Sequence, residues 1–248
     1  MAAVEAAVTP QLELRACTTL DDFRQCVELQ RMVWGYADED LLPVRLFVTG
    51  GKIGGQVFGA FESAGRMAAF CFAVPGLRNG KAYLHSHILG VLPQYRDQHV
   101  GRRLKLMQRD DALQRGIRLI EWTFDPLELK NAFFNIERLG AIMRRYVPSQ
   151  YGVSSSSLHA GLPTDRFVAE WWLDRERHPP NPATAVRLPV PTSIGEIKKR
   201  DRAQALEIQT RLREQCTERF REGWIITGFE RGETESAYLL EKREGPTL

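Results

Sequence analysis

Apolar and polar positions alternate over residues 12–17, which predicts an opening strand. Thr19, with Asp22 three positions on, marks a helix start. Phe23, Val27, Gln30 and Val33-Trp34 continue the helical stripe, and Gly35 ends it. Pro43 opens a second, short helix that stops at Gly50-Gly51. Two apolar runs, 56–63 and 67–74, flank Ala64-Gly65-Arg66 and read as a hairpin. Small residues crowd this pair (Gly59, Ala60, Ala68, Ala69), so backbone or ligand can approach closely. After a turn at Arg78-Asn79-Gly80 the pattern gives a strand over 82–91, a loop over 92–98 and a helix over 100–115. A strand over 117–124, a helix over 126–139 closed by Gly140, and strands over 141–147 and 166–173 follow. This is a mixed α/β order.

The pattern then breaks. His178-Pro179-Pro180-Asn181-Pro182, with Pro189 and Pro191 beyond, reads as a stiff linker poor in ladder donors. Further on, residues 201–222 form a charged amphipathic helix with Ala205, Ile208, Leu212 and Cys216 on one side. Runs at 225–229 and 236–240 around Arg231-Gly232-Glu233 read as a closing hairpin. The expected organisation is a disordered tail over 1–11, a main domain over 12–177, a linker over 178–192 and a helix–hairpin extension over 193–248.

Composition adds little. Of 248 residues, 34 are basic and 31 acidic, giving a net charge of +3 without any basic run that would suggest a nucleic-acid partner. Cys17, Cys26, Cys71 and Cys216 lie far apart with no CxxC pair, which argues against a disulfide framework or zinc site. The first ten residues lack a basic n-region, and no stretch is long and apolar enough to span a bilayer. A cytoplasmic protein with no membrane partner is the expectation.

Chemistry concentrates between His85 and Leu104. There an apolar strand, His85-Ser86-His87-Ile88-Leu89-Gly90-Val91, runs through Leu92-Pro93-Gln94-Tyr95-Arg96-Asp97-Gln98-His99 into a helix whose first turn holds Gly101. Such a junction offers free backbone N–H groups and the positive end of a helix dipole, an anion site suited to a pyrophosphate. Arg96, Arg102 and Arg103 add formal charge.

This segment resembles motif A of the GNAT superfamily of acyl-CoA-dependent N-acyltransferases, with Val91, Pro93, Tyr95, Arg96 and Gly101 at matching positions. His99 departs from the pattern, occupying its first glycine, and predicts either a backbone with φ below zero or a less close approach of the phosphate. A second stretch, Asn131 to Gly140, resembles the motif B helix through Ala132, Leu139 and Gly140. The tyrosine that serves many members as general acid falls on Ile136. The likeness covers residues 12–174. Phrases such as Leu84-His85-Ser86-His87 and Trp122-Thr123-Phe124-Asp125-Pro126 are similar to a bacterial subgroup of predicted acetyltransferases.

The resemblance implies a mostly antiparallel sheet with one splayed parallel pair, helices on both faces, and acetyl-CoA or another short acyl-CoA as co-substrate, with no metal. Leu89, Gly90 and Val91 would bind the pantetheine arm. Amides of Asp97, Gln98, His99, Val100, Gly101 and Arg102, with Arg96, would hold the pyrophosphate, and Asn131 or Asn135 would reach the arm. His85 and His87 share a strand face and are similar to the histidine pair of serotonin N-acetyltransferases, which makes them the candidate bases. Tyr146 is the candidate acid for the leaving thiolate, with Tyr151 beside it. Arg166 would clamp a carboxylate on the acceptor. Arg144-Arg145 reads as a solvated charge pair, and Ser154–Ser157 as a flexible loop. The expected activity is direct transfer of an acetyl, succinyl or other short acyl group to a small-molecule amine, with an amino acid and a homodimer left open. A CoA-binding regulatory module and an O-acyltransferase are the competing readings.

Overall fold

The computed structural model describes residues 11–152, 160–181 and 183–248. The tail over 1–10, the Ser154–Ser157 run and Pro182 lie outside the described residues. Among those described, ten strands form one sheet. The first half holds β1 (Glu13–Ala16), α1 (Leu20–Trp34), α2 (Val44–Lys52), β2 (Gln56–Phe61), β3 (Met67–Arg78), β4 (Lys81–Val91), α3 (Val100–Gln114) and β5 (Leu119–Phe124). Next come α4 (Leu129–Phe133), a π-helical turn (Phe134–Arg138), β6 (Ile142–Val147) and β7 (Arg166–Trp172). The chain closes with β8 (Val186–Pro191), α5 (Ile194–Arg200), α6 (Arg202–Arg221), β9 (Trp224–Glu230) and β10 (Glu235–Lys242). The spatial order is β1-β2-β3-β4-β5-β7-β6-β9-β10-β8.

Local sequence explains the ends of the elements. Thr19 and Asp22 close a reciprocal capping box on α1, and Gly35 ends the helix at φ 66°. α1 and α2 cover one face of β2 and β3 through Phe23, Phe47, Phe70 and Phe72, while α3 packs on the other face. No described helix is long and apolar enough to cross a membrane.

Every strand pairing is antiparallel except β4 with β5. That parallel pair joins only Leu84 to Ile120 and His85 to Glu121. β4 then continues to Val91 along β3, and β5 to Phe124 along β7, so the two strands part after His85 and Glu121. A wedge-shaped gap opens at mid-sheet.

Residues 186–191, expected as linker, instead form β8, which pairs with β10 from Val186–Leu240 to Pro191–Glu235. β8 is an edge strand, where a missing N–H costs no ladder bond, so Pro189 and Pro191 are tolerated. The C-terminal elements share one core with the first half. Ile197, Leu212, Ile226 and Tyr238 pack in a single cluster with Phe124, Leu127, Ile136 and Phe167.

Candidate active site

The strand pattern builds the site around the gap. Phe72 pairs with Ile88 while Ala73 pairs with Ser86, leaving His87 as a bulge on β4. The His85 and His87 rings stay on one face, with centroids 6.1 Å apart. His85 Nδ1 lies 3.6 Å from Glu121 Oε1. Burial alone would raise the Glu121 pKa, but His85, Arg78 and Arg145 overcome it and hold the carboxyl at about 2. Burial, and then neighbouring His85, lowers the pKa of His87 below 6.5. The shift favours the neutral imidazole, the form able to accept a proton.

His87 opens onto a cavity of about 360 Å³. Its remaining walls are Gln30 and Trp34 of α1, Tyr36, Asp40 and Leu42 of the following loop, Ile88 and Leu89 of β4, Thr123 of β5, and Tyr151 and Arg166. Trp34 stacks on Tyr36 with centroids 5.6 Å apart. The Tyr151 hydroxyl lies 3.0 Å from Thr123 Oγ1, and the Arg166 guanidinium sits 5.3 Å from the Tyr151 ring. A Cβ on Gly90 would come 2.8 Å from Trp34 Cη2, so this glycine lets the tryptophan approach β4. Tyr36, Asp40, Leu42 and Thr123 were not singled out from sequence, and Trp34 was read only as part of the helical stripe, because their partners come from separate elements.

At the far end of the gap, Pro93–Tyr95 makes a short 3-10 turn and the chain enters α3. Asp97 (φ 61°) and His99 (φ 59°) both adopt left-handed backbone. His99 therefore takes the geometry of the glycine it replaces, correcting the expected negative φ. His and Asp tolerate this region better than most side chains, and the conformation turns successive N–H groups toward one side as an anion nest. The first helical bond is Arg103 N–H to His99 O, at 3.0 Å. The amides of Val100, Gly101 and Arg102 have no backbone partner among the described residues. Arg96, Asp97, His99 and Arg102 are exposed, while Arg103 donates to Leu12 O at 3.1 Å, outside the nest. Replacing His99 by Gly should relieve the left-handed strain and raise stability by about 1 kcal/mol, read as an increased Tm.

The π-helical turn displaces the end of α4 and buries Asn135 (4% exposed) and Ile136, while Asn131 stays exposed. The Asn135 side-chain amide makes no hydrogen bond among the described residues, which leaves it able to take a polar ligand.

Tyr146 is not brought to the cavity. Its hydroxyl donates to Asp165 Oδ2 at 2.7 Å, and the same oxygen accepts from Arg213 Nε of α6 at 2.8 Å. Burial, reinforced by Asp165, pushes the phenol far above its usual range. Arg144 and Arg145 are not a solvated pair either. A bulge in β6 places both against Glu170, at 2.9 and 3.2 Å, and Arg145 also meets Glu121 at 2.6 Å.

No family model matches the chain, and no curated protein matches it in sequence. Solved structures do. A candidate acetyltransferase of the GNAT family from Desulfovibrio desulfuricans superposes with a TM-score of 0.53 at 14% identity, covering 66% of this chain and 99% of its own. The ribosomal-protein-S18-alanine N-acetyltransferase from Escherichia coli gives 0.52 at 16%, covering 67% and 96%. A candidate acetyltransferase from Salmonella typhimurium, solved with acetyl-CoA, gives 0.52 at 14%, covering 68% and 98%. The chain has the fold of the GNAT acetyltransferases.

Proposed function

We propose that this protein is an acyl-CoA-dependent N-acyltransferase acting on a small primary amine. The observation that carries the reading is the parting of β4 from β5 after His85 and Glu121, with the His87 cavity lined from both strands by Ile88, Leu89 and Thr123. In this reading amides from Asp97 to Arg102 hold the pyrophosphate, with Arg96 beside them. Backbone groups of Leu89, Gly90 and Val91 take the pantetheine arm, and Asn135, with Asn131 at the rim, supplies further polar contacts. The acyl carbon then faces the cavity.

His87 accepts the ammonium proton of the acceptor, and its position on the cavity wall at a lowered pKa supports that role. His85, oriented by Glu121, relays the proton outward. This is the arrangement for which the sequence is similar to serotonin N-acetyltransferases. The free amine attacks the thioester carbon, the C–N bond forms, the C–S bond breaks and the sulfur takes a proton. Aromatic walls and Arg166 favour an acceptor with an apolar body and a carboxylate, such as an amino acid.

The test is a thermal-shift and calorimetric screen with CoA, acetyl-CoA and succinyl-CoA, followed by thiol-release assays over an amine panel. Stabilisation by a CoA species and amine-dependent thiol release are expected. CoA binding without turnover of any amine would instead support the regulatory-module reading. Once an acceptor is found, His87→Ala should lower kcat/KM by about 100-fold. In the parent enzyme activity falls as pH drops through the lowered His87 pKa, below about 6.5, and the variant should lack that acid limb. An unaltered pH profile would remove His87 from the mechanism.

A further inference from the structure

Where the strands part, the first residues beyond the last parallel pair are Ser86 on β4 and Trp122 on β5. Lys105, from the second turn of α3, bridges that position. Its Nζ donates to Ser86 Oγ at 2.7 Å and lies 3.8 Å from the centre of the Trp122 ring. The residue is 3% exposed, and among the described residues no carboxylate pairs with it. Fully buried lysines are rare without a paired anion, so this one calls for a cause. Ser86 in turn donates to Gln108 Oε1 at 3.0 Å, which fixes the hydroxyl under the lysine. Gln108 Nε2 and Gln56 Oε1, both buried nearby, have no partner.

The gap runs from the nest to this vertex along the stretch of β4 from Val91 to Ser86, roughly 17 Å of extended strand. That is the order of the reach of an extended pantetheine arm, so the arm would bring its sulfur beside Lys105. The position usually held by the acid tyrosine is Ile136, and Tyr146 is committed to Asp165. We infer that Lys105 is the general acid of this enzyme, protonating the sulfur of the departing CoA. The inference rests on the acyltransferase reading.

The step balances. As the acceptor nitrogen bonds to the acyl carbon, the C–S electron pair passes to sulfur, and sulfur takes a proton from the Lys105 ammonium. The lysine is left neutral, the form an apolar site favours, and regains a proton as His87 releases one to solvent. Burial lowers the Lys105 pKa to about 7, so both forms are accessible near neutrality. Among the described residues the groups facing it from its neighbours are few. Cys71 on β3 is a neutral thiol raised to about 12 by burial, Ser86 and Trp122 carry no charge, and Asp111 on α3 is held by Arg115 and Gln56.

Lys105→Met and Lys105→Arg test this. Methionine keeps the unbranched stem that lies against Trp122, so folding should survive; arginine keeps a charge that cannot be given up as a proton. Both variants should bind CoA within threefold of the parent by calorimetry, while kcat falls at least 100-fold. The alkaline limb of the kcat–pH profile, where the ammonium loses its proton above about 7, should vanish. Recovery of activity in Lys105→Arg, or kcat within threefold of the parent in Lys105→Met, would overturn the role. Failure of the parent protein to bind CoA at all would overturn the acyltransferase reading itself, and this role with it.

Discussion

A chain ending at Arg177 is expected not to fold. The cut removes β9, the strand that flanks β6 through Met143 and Ile226. It also strips Ile197, Ile208, Leu212, Ile226, Phe229, Tyr238 and Leu240 from the core shared with Phe124, Ile136 and Phe167. Each such side chain contributes about 1.5–3 kcal/mol by burial, and a handful exceeds the roughly 5–15 kcal/mol that separates most folded domains from the unfolded chain. Two polar anchors disappear as well. Lys198 reaches Asp125 at 2.9 Å, and Arg213 reaches Asp165, which is fully buried. The measurement is soluble yield, circular dichroism and a thermal melt of residues 1–177. A soluble fragment with a cooperative melt and intact CoA binding would refute the shared core. Arg213→Ala isolates the electrostatic part. Among the described residues it leaves Asp165 with Tyr146 and Ser149 N–H as partners, and about 3 kcal/mol of stability should be lost.

The same dependence explains which parts of the fold were legible in the sequence. Elements with a local signature were readable: the Thr19 cap and Gly35 stop of α1, the turn at Asn79-Gly80, the apolar runs of β2 and β3. β8 was hidden because proline vetoes a strand only where the ladder needs its N–H, and whether a strand lies at an edge is a tertiary fact. α5 is too short to show a period. The solved structures cover about two thirds of this chain. The elements after Arg177 are built into the sheet and core all the same. A linker composition thus marked a change of sequence character, not a break in packing.

The site was half legible for a related reason. The nest and the histidine pair come from one continuous stretch, where spacing carries the geometry. The cavity walls gather Trp34, Tyr36, Thr123 and Arg166 from distant segments, and no local pattern links them. Tyr146 failed as a candidate because a tyrosine's role depends on what its hydroxyl meets, here Asp165, which is itself held by Arg213 from a helix about 65 residues further on. His99 went the opposite way: its side chain suggested an ordinary backbone, yet the nest required the left-handed one.

That nest is also where one residue should have the largest effect on ligand binding. A Cβ added to Gly101 would meet Leu89 Cδ2 at 3.4 Å and Val91 Cγ2 at 3.6 Å, ordinary contact distances. Gly101→Ala should therefore fold well, gain up to about 1 kcal/mol of helix propensity, and keep CoA affinity within a few-fold. Gly101→Glu keeps the same backbone but sets a carboxylate beside the free amides of the first turn. An anion there suits the helix dipole, so stability should hold or rise slightly. The amides and the positive end of α3 are then already answered, and a pyrophosphate meets like charge. CoA affinity is expected to fall at least 100-fold, about 2.7 kcal/mol, with an unchanged or higher Tm in the absence of ligand. Calorimetry with CoA and thermal melts of the three proteins separate the two effects. Normal CoA affinity in Gly101→Glu would mean the phosphates bind elsewhere, because two anions cannot be seated on the same three amides.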